Sequence, residues 1–207
     1  MAYSIITISR EFGTGARLIG RQLAEMLGYD YYDRALIEMS AEKSGLSEEF
    51  IERTEEKASN SFLYNLATAA YISSDMGMQY SVPVNDRAFM VQSDVIREIA
   101  QKGNSVIVGR CADYILKDHP KLLRVFIYAD KADRINRIIN EYGNSPKTAE
   151  STLNKIDKGR ANYHKFYTGT AWKSLDNYDI CINTSTTGIK GAVMAIKAAA
   201  EEKFGKD

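Results

Sequence analysis

The stretch IITISREFGTGAR, residues 5–17, decides how the chain is interpreted. Its first part is a continuous apolar run rich in β-branched residues, which is typical of a buried strand. A turn that contains Gly13 and Gly15 follows at once, and beyond it Ile19, Leu23 and Leu27 recur at the spacing of one helix face. A strand that enters a glycine-containing turn and then a helix predicts a loop whose backbone N–H groups bind phosphate.

The loop departs from the standard G-x-x-x-x-G-K-S/T phosphate-binding pattern. Counted from the strand end at Ile8, the pattern covers residues 10–18 and retains Gly13 and Gly15. Its first glycine is replaced by Arg10, its lysine by Ala16, and its hydroxyl residue by Arg17 or Leu18. The lysine normally neutralises the transferring phosphoryl group and the hydroxyl normally binds magnesium. The loop therefore predicts a phosphate site with altered chemistry.

Other interpretations compete with this one. A register over residues 15–22 keeps the glycine spacing, but it would expose Leu18 and Ile19 in the loop and remove the start of the helix's apolar face, so we reject it. A dinucleotide-binding fingerprint lacks its third glycine, which is Leu18 here. A turn that starts a helix and binds no phosphate is the structural alternative.

Composition narrows the class of protein. A chain of 207 residues with 44% hydrophobic residues can bury the core of one domain, and we treat residues 1–207 as that domain. Its 27 lysines and arginines balance 27 aspartates and glutamates, so no overall field attracts nucleic acid or a membrane surface. Apolar runs stay below the roughly 20 residues that a transmembrane helix needs.

Cysteine and histidine are scarce. Two cysteines, Cys111 and Cys181, and a start without a signal peptide predict a cytoplasmic protein. Two histidines and the lack of a Cys-x-x-Cys pair leave little material for a structural zinc site, so we assign no metal-ligating residue.

Four apolar runs predict short buried strands, at residues 3–8, 105–108, 122–128 and 178–183. Helices are predicted between and after them, with starts at Asp130 for residues 131–142, at Ser145-Pro146, and at Thr186 or Thr187. This alternation indicates parallel pairing under right-handed crossovers. We predict an α/β three-layer fold with a core of residues 1–33 and 103–207 and a helical insert at residues 34–102, in which residues 75–85 form a mobile loop.

Motifs along nearly the whole chain resemble one known family. Residues 23–27 read Leu-Ala-Glu-x-Leu, an Asp-Arg pair at residues 33–34 opens the insert, and Val-Gly-Arg closes a strand at residues 108–110. A strand followed by spaced arginines, an Asp-Lys-Gly-Arg segment and an Asn-Thr-Ser turn come next, at residues 125–137, 157–160 and 183–185. In this order the motifs resemble the cytidylate kinase-like family, a branch of the P-loop nucleoside monophosphate kinases.

The resemblance implies a P-loop NTPase-type fold with a helical acceptor-binding insert and a C-terminal lid at about residues 143–172. It implies a phosphotransferase that moves a phosphoryl group from ATP, bound with Mg²⁺, to a nucleoside monophosphate, most simply CMP or dCMP. The implied partners are small-molecule nucleotides, and a homo-oligomer is left open. A nucleotide-binding protein without turnover is one alternative, because the usual lysine is missing. A kinase for a different small acceptor is the other, because no cytosine-binding pattern is evident in the insert.

Phosphoryl transfer needs positive charge around three equatorial oxygens, so the placement of cations is the test. We predict that arginine replaces the missing lysine. The candidate catalytic residues are Arg10 or Arg17 on the donor phosphates and Arg134, Arg137 and Arg160 closing over the transferring group. For Arg134 and Arg137, a solvated helix face is the structural alternative.

The resemblance also implies two sets of binding residues. Those for ATP are Phe12, Gly13, Thr14, Gly15, Ala16, Arg17, Thr184 and Ser185. Those for the acceptor are Asp33, Arg34, Arg110, Asp113 and Asp157. A helix cap is the alternative role of Asp33, and a structural ion pair that of Arg110. The aromatic residues at 163–172 are predicted to pack a helix in preference to stacking a base.

Overall fold

The computed structural model describes residues 3–54 and 83–205. Most of the predicted mobile loop at residues 75–85 lies outside these ranges. Its last two residues are helical, since a helix begins at Val84, and Pro83 before it has a φ of −51°, which suits a helix entry. None of the described helices is both long enough and apolar enough to span a bilayer.

Five strands form one parallel sheet. They are β1 (Ile5–Arg10), β2 (Asp30–Tyr32), β3 (Ser105–Val108), β4 (Leu122–Tyr128) and β5 (Ile180–Asn183). Their order across the sheet is β2-β3-β1-β4-β5. The four predicted strands are confirmed within two residues at each end. The sequence did not predict β2, because this three-residue edge strand is partly exposed and carries no buried apolar run.

Helices cover both faces of the sheet. They are α1 (Ala16–Leu27), α2 (Arg34–Ser44), α3 over residues 48–54, α4 (Val84–Lys102), α5 (Ala112–Ile115), α6 (Lys131–Asn140), α7 (Ala149–Thr168) and α8 (Thr184–Phe204), with a 3₁₀ turn at Leu175–Asn177. One core lies between the sheet and α1 with α8, and a second lies between the sheet and α4 with α5. The predicted α/β three-layer fold is confirmed, whereas its division into core, insert and lid stays a prediction.

Two predicted helix starts are wrong. The helix predicted from Ser145-Pro146 begins at Ala149, because the N–H groups of Thr148 and Ala149 first close a turn on the Ser145 carbonyl. The C-terminal helix begins at Thr184 instead of at Thr186 or Thr187. Its cap is Asn183, whose side chain accepts the N–H of Ser185 at 2.9 Å, and the non-helical Gly188, five residues after the cap, bends the helix.

The central strand β1 sets the position of the phosphate loop. Ile5, Ile6 and Ile8 are fully buried, and β1 pairs with β3 on one side and β4 on the other. Because all strands are parallel, the segments that follow β1, β3, β4 and β5 emerge at one edge of the sheet. Ligands of open parallel sheets bind at that edge.

Candidate phosphate-binding site

The loop between β1 and α1 presents backbone N–H groups to an anion. Gly13 and Gly15 have φ values of 81° and 80°, in the left-handed region that glycine adopts without strain. Within the described part of the chain, no protein acceptor contacts the N–H groups of residues 13–17. The first turn of α1 adds the positive end of its dipole. This crossing therefore offers the donors that a phosphate requires.

Three of the predicted arginines reach this loop from α6 and α7. Arg134 donates to the carbonyl oxygen of Phe12 at 3.2 Å, and Arg137 donates to that of Gly13 at 2.9 Å. Arg160 donates to the carbonyl oxygen of Arg10 at 3.1 Å. The three guanidinium groups thus lie around the loop, where each donates to a carbonyl oxygen of the loop or of the end of β1, and their closing over a transferring group stays a prediction. A solvated helix face is excluded for Arg134, which is 6% exposed.

Asp157 connects α7 to the loop. One carboxylate oxygen accepts the N–H of Phe12 at 2.8 Å, and the other pairs with Arg134 at 2.6 Å. The ring of Phe12 packs on the side of α6 and α7, where its centroid lies 5.8 Å from that of Tyr142. Both Phe12 and Asp157 therefore make internal contacts that hold the loop against α7.

Glu11 is a buried carboxylate of the loop that the sequence analysis did not single out. One oxygen lies 3.5 Å from Nε of Arg134 and 3.4 Å from the N–H of Ala129. The other oxygen contacts Nζ of Lys173, in the connection between α7 and β5. The loop is therefore held by a backbone N–H just after β4 and by cations from α6 and this connection.

Arg10 and Arg110 end β1 and begin the segment after β3, at the same edge of the sheet. The Arg10 guanidinium lies against Gly109, where an added Cβ would be 1.9 Å from Nη1. Arg110 has a φ of 59° and donates to the carbonyl oxygen of Ile51 in α3 at 2.9 Å. Both arginines are buried, and Arg110 joins the sheet edge to α3.

Arg17, Asp33 and Arg34 lie on the exposed side of α1 and α2. Nε of Arg17 pairs with Asp33 at 2.9 Å, and the side chain of Arg17 is 63% exposed. Within the described residues, Asp33 makes no capping hydrogen bond to α2. Arg34 faces solvent and pairs with Glu38 at 3.4 Å and with Glu48 at 3.6 Å.

Tyr31 is hydrogen-bonded to the start of α1, next to the Arg17–Asp33 pair. Its hydroxyl donates to the carbonyl oxygen of Arg17 at 3.2 Å. Burial, reinforced by the negative charge of Asp33, raises the pKa of Tyr31 to about 12. The hydroxyl therefore stays protonated at neutral pH and remains a donor.

A groove of about 340 Å³ runs beside the loop, between α6 and the start of α8. Its lining is polar and consists of Asp133, Asn136, Arg137, Asn140, Glu141, Thr184 and Ser185. Thr184 donates to the carbonyl oxygen of Thr14 at 3.1 Å, and the Ser185 hydroxyl accepts the N–H of Asp130 at 2.9 Å. Ile189 of α8 packs against Gly15, where a Cβ would lie 2.4 Å from its Cδ1. The groove therefore lies beside the loop, to which Arg137 and Thr184 of its lining are hydrogen-bonded.

Comparison with known proteins decides the family. A sequence model described as the cytidylate kinase-like family matches residues 5–186, which is most of the chain. The chain belongs to the cytidylate kinase-like family. No curated protein sequence matches it.

Solved structures agree with this family. The cytidylate kinase-like chain is 32% identical to an uncharacterized protein from Eubacterium ventriosum, with a TM-score of 0.72 and coverage of 96% of this chain and 98% of the other. It is also similar to a shikimate kinase from Bacteroides thetaiotaomicron, at 13% identity, a TM-score of 0.54 and coverage of 96% and 98%. A gluconokinase from Sinorhizobium meliloti matches at 12% identity, a TM-score of 0.53 and coverage of 100% and 98%. The last two show the fold alone, which is that of P-loop kinases.

A buried polar network underlies the site in this cytidylate kinase-like protein. Asp113 of α5 faces Nε2 of His164 of α7 at 3.3 Å, and both side chains are almost fully buried. Nδ1 of the same histidine lies 3.1 Å from the hydroxyl of Thr168. Asp113 was predicted to bind the acceptor, but its contacts join α5 to α7. Burial, together with the charge of Asp113, raises the pKa of the nearby Tyr178 hydroxyl.

We expect Asp113→Ala to lower the free energy of unfolding by about 1–3 kcal/mol, because it leaves His164 buried without its partner. Urea denaturation measures this change. Asp118→Ala, an exposed aspartate in the following turn, is the matched control and should change stability by less than about 0.5 kcal/mol. Unchanged stability of Asp113→Ala with a loss of acceptor affinity would instead support the acceptor role.

The aromatic residues at 163–172 pack as predicted. Phe89 of α4 stacks on Tyr167 with a centroid distance of 3.9 Å and contacts Tyr163 edge-on at 6.1 Å. The indole N–H of Trp172 donates to the hydroxyl of Ser9 at 2.9 Å. These contacts attach α7 to α4 and the connection after α7 to the sheet.

Proposed function

We propose that this cytidylate kinase-like protein transfers the γ-phosphoryl group of ATP to a nucleoside monophosphate, with CMP or dCMP as the simplest acceptor. The observation that carries the proposal is the set of N–H groups at residues 13–17, which have no protein acceptor within the described residues. Family membership and the P-loop kinase fold support the reaction class. The identity of the acceptor comes from the family resemblance.

The residues present suit the triphosphate of ATP. The N–H groups of residues 13–17 and the start of α1 would bind the β- and γ-phosphates, with the guanidinium of Arg10 close to the same edge. The groove beyond Gly15 would receive the base beside Thr184 and Ser185. Amide, hydroxyl and carboxylate groups line this groove, so it offers hydrogen bonds of both kinds to a base.

The residues do not suit magnesium in the usual way. Arg17 stands where a serine or threonine hydroxyl would bind the ion, and the nearby Asp33 is paired with that arginine. Among the described residues, no group of three or more His, Cys, Asp or Glu side chains is arranged to hold a metal ion. We therefore assign no magnesium ligand and derive no step through one.

The proposed transfer needs no general base from the protein. An anionic phosphate oxygen of the monophosphate attacks the γ-phosphorus and forms a new P–O bond. The bond from that phosphorus to its bridging oxygen breaks, and the electron pair leaves on ADP. The protein contributes orientation and positive charge. Arg134, Arg137 and Arg160 would hold the loop in its binding shape through its carbonyl oxygens.

On the acceptor side, Arg110, Asp33 and Arg34 remain the proposed binding residues. Arg110 lies where the sheet edge meets the insert, and the other two start α2. Asp113 and Asp157 would instead position α5, α7 and the loop, a role that their internal contacts support.

The decisive assay measures ADP release from ATP with magnesium and a panel of nucleoside monophosphates. We expect release that depends on CMP or dCMP. Binding of ATP without any acceptor-dependent release would favour a nucleotide-binding protein without turnover, which the missing lysine at Ala16 would explain. ATP turnover with a non-nucleotide acceptor would favour a different small-molecule kinase.

The binding step has its own test. We expect ATP to shift the backbone amide resonances of Gly13, Thr14 and Gly15 in an NMR titration, because their N–H groups would donate to phosphate. Gly28, also left-handed but at the other end of α1, is the matched control and should not shift. Unshifted loop amides at saturating ATP would contradict this site.

A further inference from the structure

We propose that Lys173 supplies the ammonium group that the loop lacks at Ala16, so that the phosphate-binding lysine comes from the connection between α7 and β5. The inference rests on the proposed function and names a further residue of the same site. In the standard loop the lysine lies within the loop itself. Here a lysine more than 150 positions later places its Nζ on Glu11, inside the loop.

The backbone beside Lys173 is fixed next to β1. Trp172 is 5% exposed, its indole N–H donates to Ser9, and its carbonyl oxygen accepts the hydroxyl of Tyr178 at 2.7 Å. The rings of Trp172 and Phe126 also pack edge to face, with their centroids 5.5 Å apart. Lys173 therefore starts from an anchored position, and the main freedom left is in its flexible four-carbon stem.

The contact between Lys173 and Glu11 is exchangeable. The side chain of Lys173 is 55% exposed, whereas that of Glu11 is 7% exposed. Because the Lys173 end of the pair is exposed, water can solvate the ammonium as it leaves, so the exchange costs less than breaking a fully buried pair. Glu11 would keep Arg134 and the N–H of Ala129 when the ammonium leaves. Its carboxylate can thus hold Lys173 until a phosphate competes for it.

The ammonium group of Lys173 has only a short distance to move from Glu11 to the proposed phosphate site. Glu11 precedes Gly13 by two residues, so their Cα atoms are at most about 8 Å apart. The ammonium already lies at the carboxylate of Glu11 and has solvent on one side. A triphosphate on the N–H groups of residues 13–17 would carry more negative charge than the Glu11 carboxylate. Lys173 would move from the carboxylate to the β- and γ-phosphates.

The test compares the affinities of AMP, ADP and ATP for wild type and Lys173→Met by calorimetry. We expect the substitution to weaken ATP by about tenfold or more and AMP by less than about twofold, because a charged hydrogen bond to the outer phosphates is lost. Lys173→Arg should retain most of the ATP affinity. Lys165→Met, an exposed lysine at the end of α7, is the matched control and should behave as wild type.

Glu11→Gln separates a phosphate-binding role from a structural one. If Lys173 binds phosphate, this variant keeps the preference for ATP over AMP, since the competing carboxylate is gone. If Lys173 only fastens the loop through Glu11, both variants lose affinity for all three nucleotides equally, and the inference is overturned. Equal ATP affinity in wild type and Lys173→Met also overturns it. A wild type that binds none of the nucleotides refutes the proposed function itself.

Discussion

Arg134→Met is expected to lower the free energy of unfolding by about 3 kcal/mol, because it removes the cation that the buried Glu11 and the partly buried Asp157 share and leaves Lys173 on Glu11 alone. The side chain of Arg134 is 7% exposed, as is that of Glu11, and that of Asp157 is 14% exposed. The substitution also removes the donor to the Phe12 carbonyl oxygen. Urea denaturation measures the stability, and ATP-dependent transfer should be lost at the same time.

The mechanism of this loss is checked by a double substitution. Combining Arg134→Met with Asp157→Asn also removes the carboxylate that would lose its partner Arg134. The double variant should therefore lose clearly less stability than the sum of the two single variants. Arg137→Met is the matched control from the same helix. Its guanidinium also holds a loop carbonyl oxygen, but it pairs with an exposed glutamate, Glu141. It should therefore cost less stability than Arg134→Met, and an equal cost would argue against the buried-charge explanation.

Gly109→Ala is expected to reduce phosphoryl transfer by about a hundredfold, the typical cost of losing one well-placed donor. The new Cβ would lie 1.9 Å from Nη1 and 2.7 Å from Cζ of Arg10, so the guanidinium must move away from the edge of the sheet. The φ of 82° adds backbone strain of about 1–3 kcal/mol for alanine. Steady-state kinetics measures the first effect and thermal unfolding the second.

Gly28→Ala separates the two effects. Gly28 has a φ of 65°, and an added Cβ meets no atom within 4 Å. This control carries the same kind of backbone strain but displaces no arginine, so stability should fall while transfer stays near the wild-type rate. Matching losses of activity in the two variants would mean that general destabilisation, and not the position of Arg10, explains the result for Gly109→Ala.

Four of the five strands and the position of the phosphate loop could be predicted from the sequence. A continuous apolar run identifies a buried central strand such as β1, and a pair of glycines after it identifies the turn into α1. The edge strand β2 was missed because it is short and partly exposed, so it carries no such run. The early start of α8 was missed because Asn183 caps the helix, while the threonines after it resemble a cap equally well in the sequence.

The partners of the charged side chains could not be predicted from the sequence. Arg134, Arg137 and Arg160 were predicted to close over the transferring group, and the sequence did not indicate their hydrogen bonds to the carbonyl oxygens of residues 10, 12 and 13. Asp113 and Asp157, expected on the acceptor, proved to make internal contacts. No role was predicted for Glu11 or Lys173, because nothing in the local sequence of either residue indicates a contact with the other.

The sequence by itself determined the family, the parallel sheet and the position of the anion-binding turn, because apolar runs and glycine spacing are properties of neighbouring residues. Only the tertiary structure decided which charges meet around that turn. The Phe12–Asp157 and Glu11–Lys173 contacts join residues 145 and 162 positions apart. Such contacts depend on how α6, α7 and the segment after α7 dock on the sheet, and the packing of buried side chains from distant segments sets that docking.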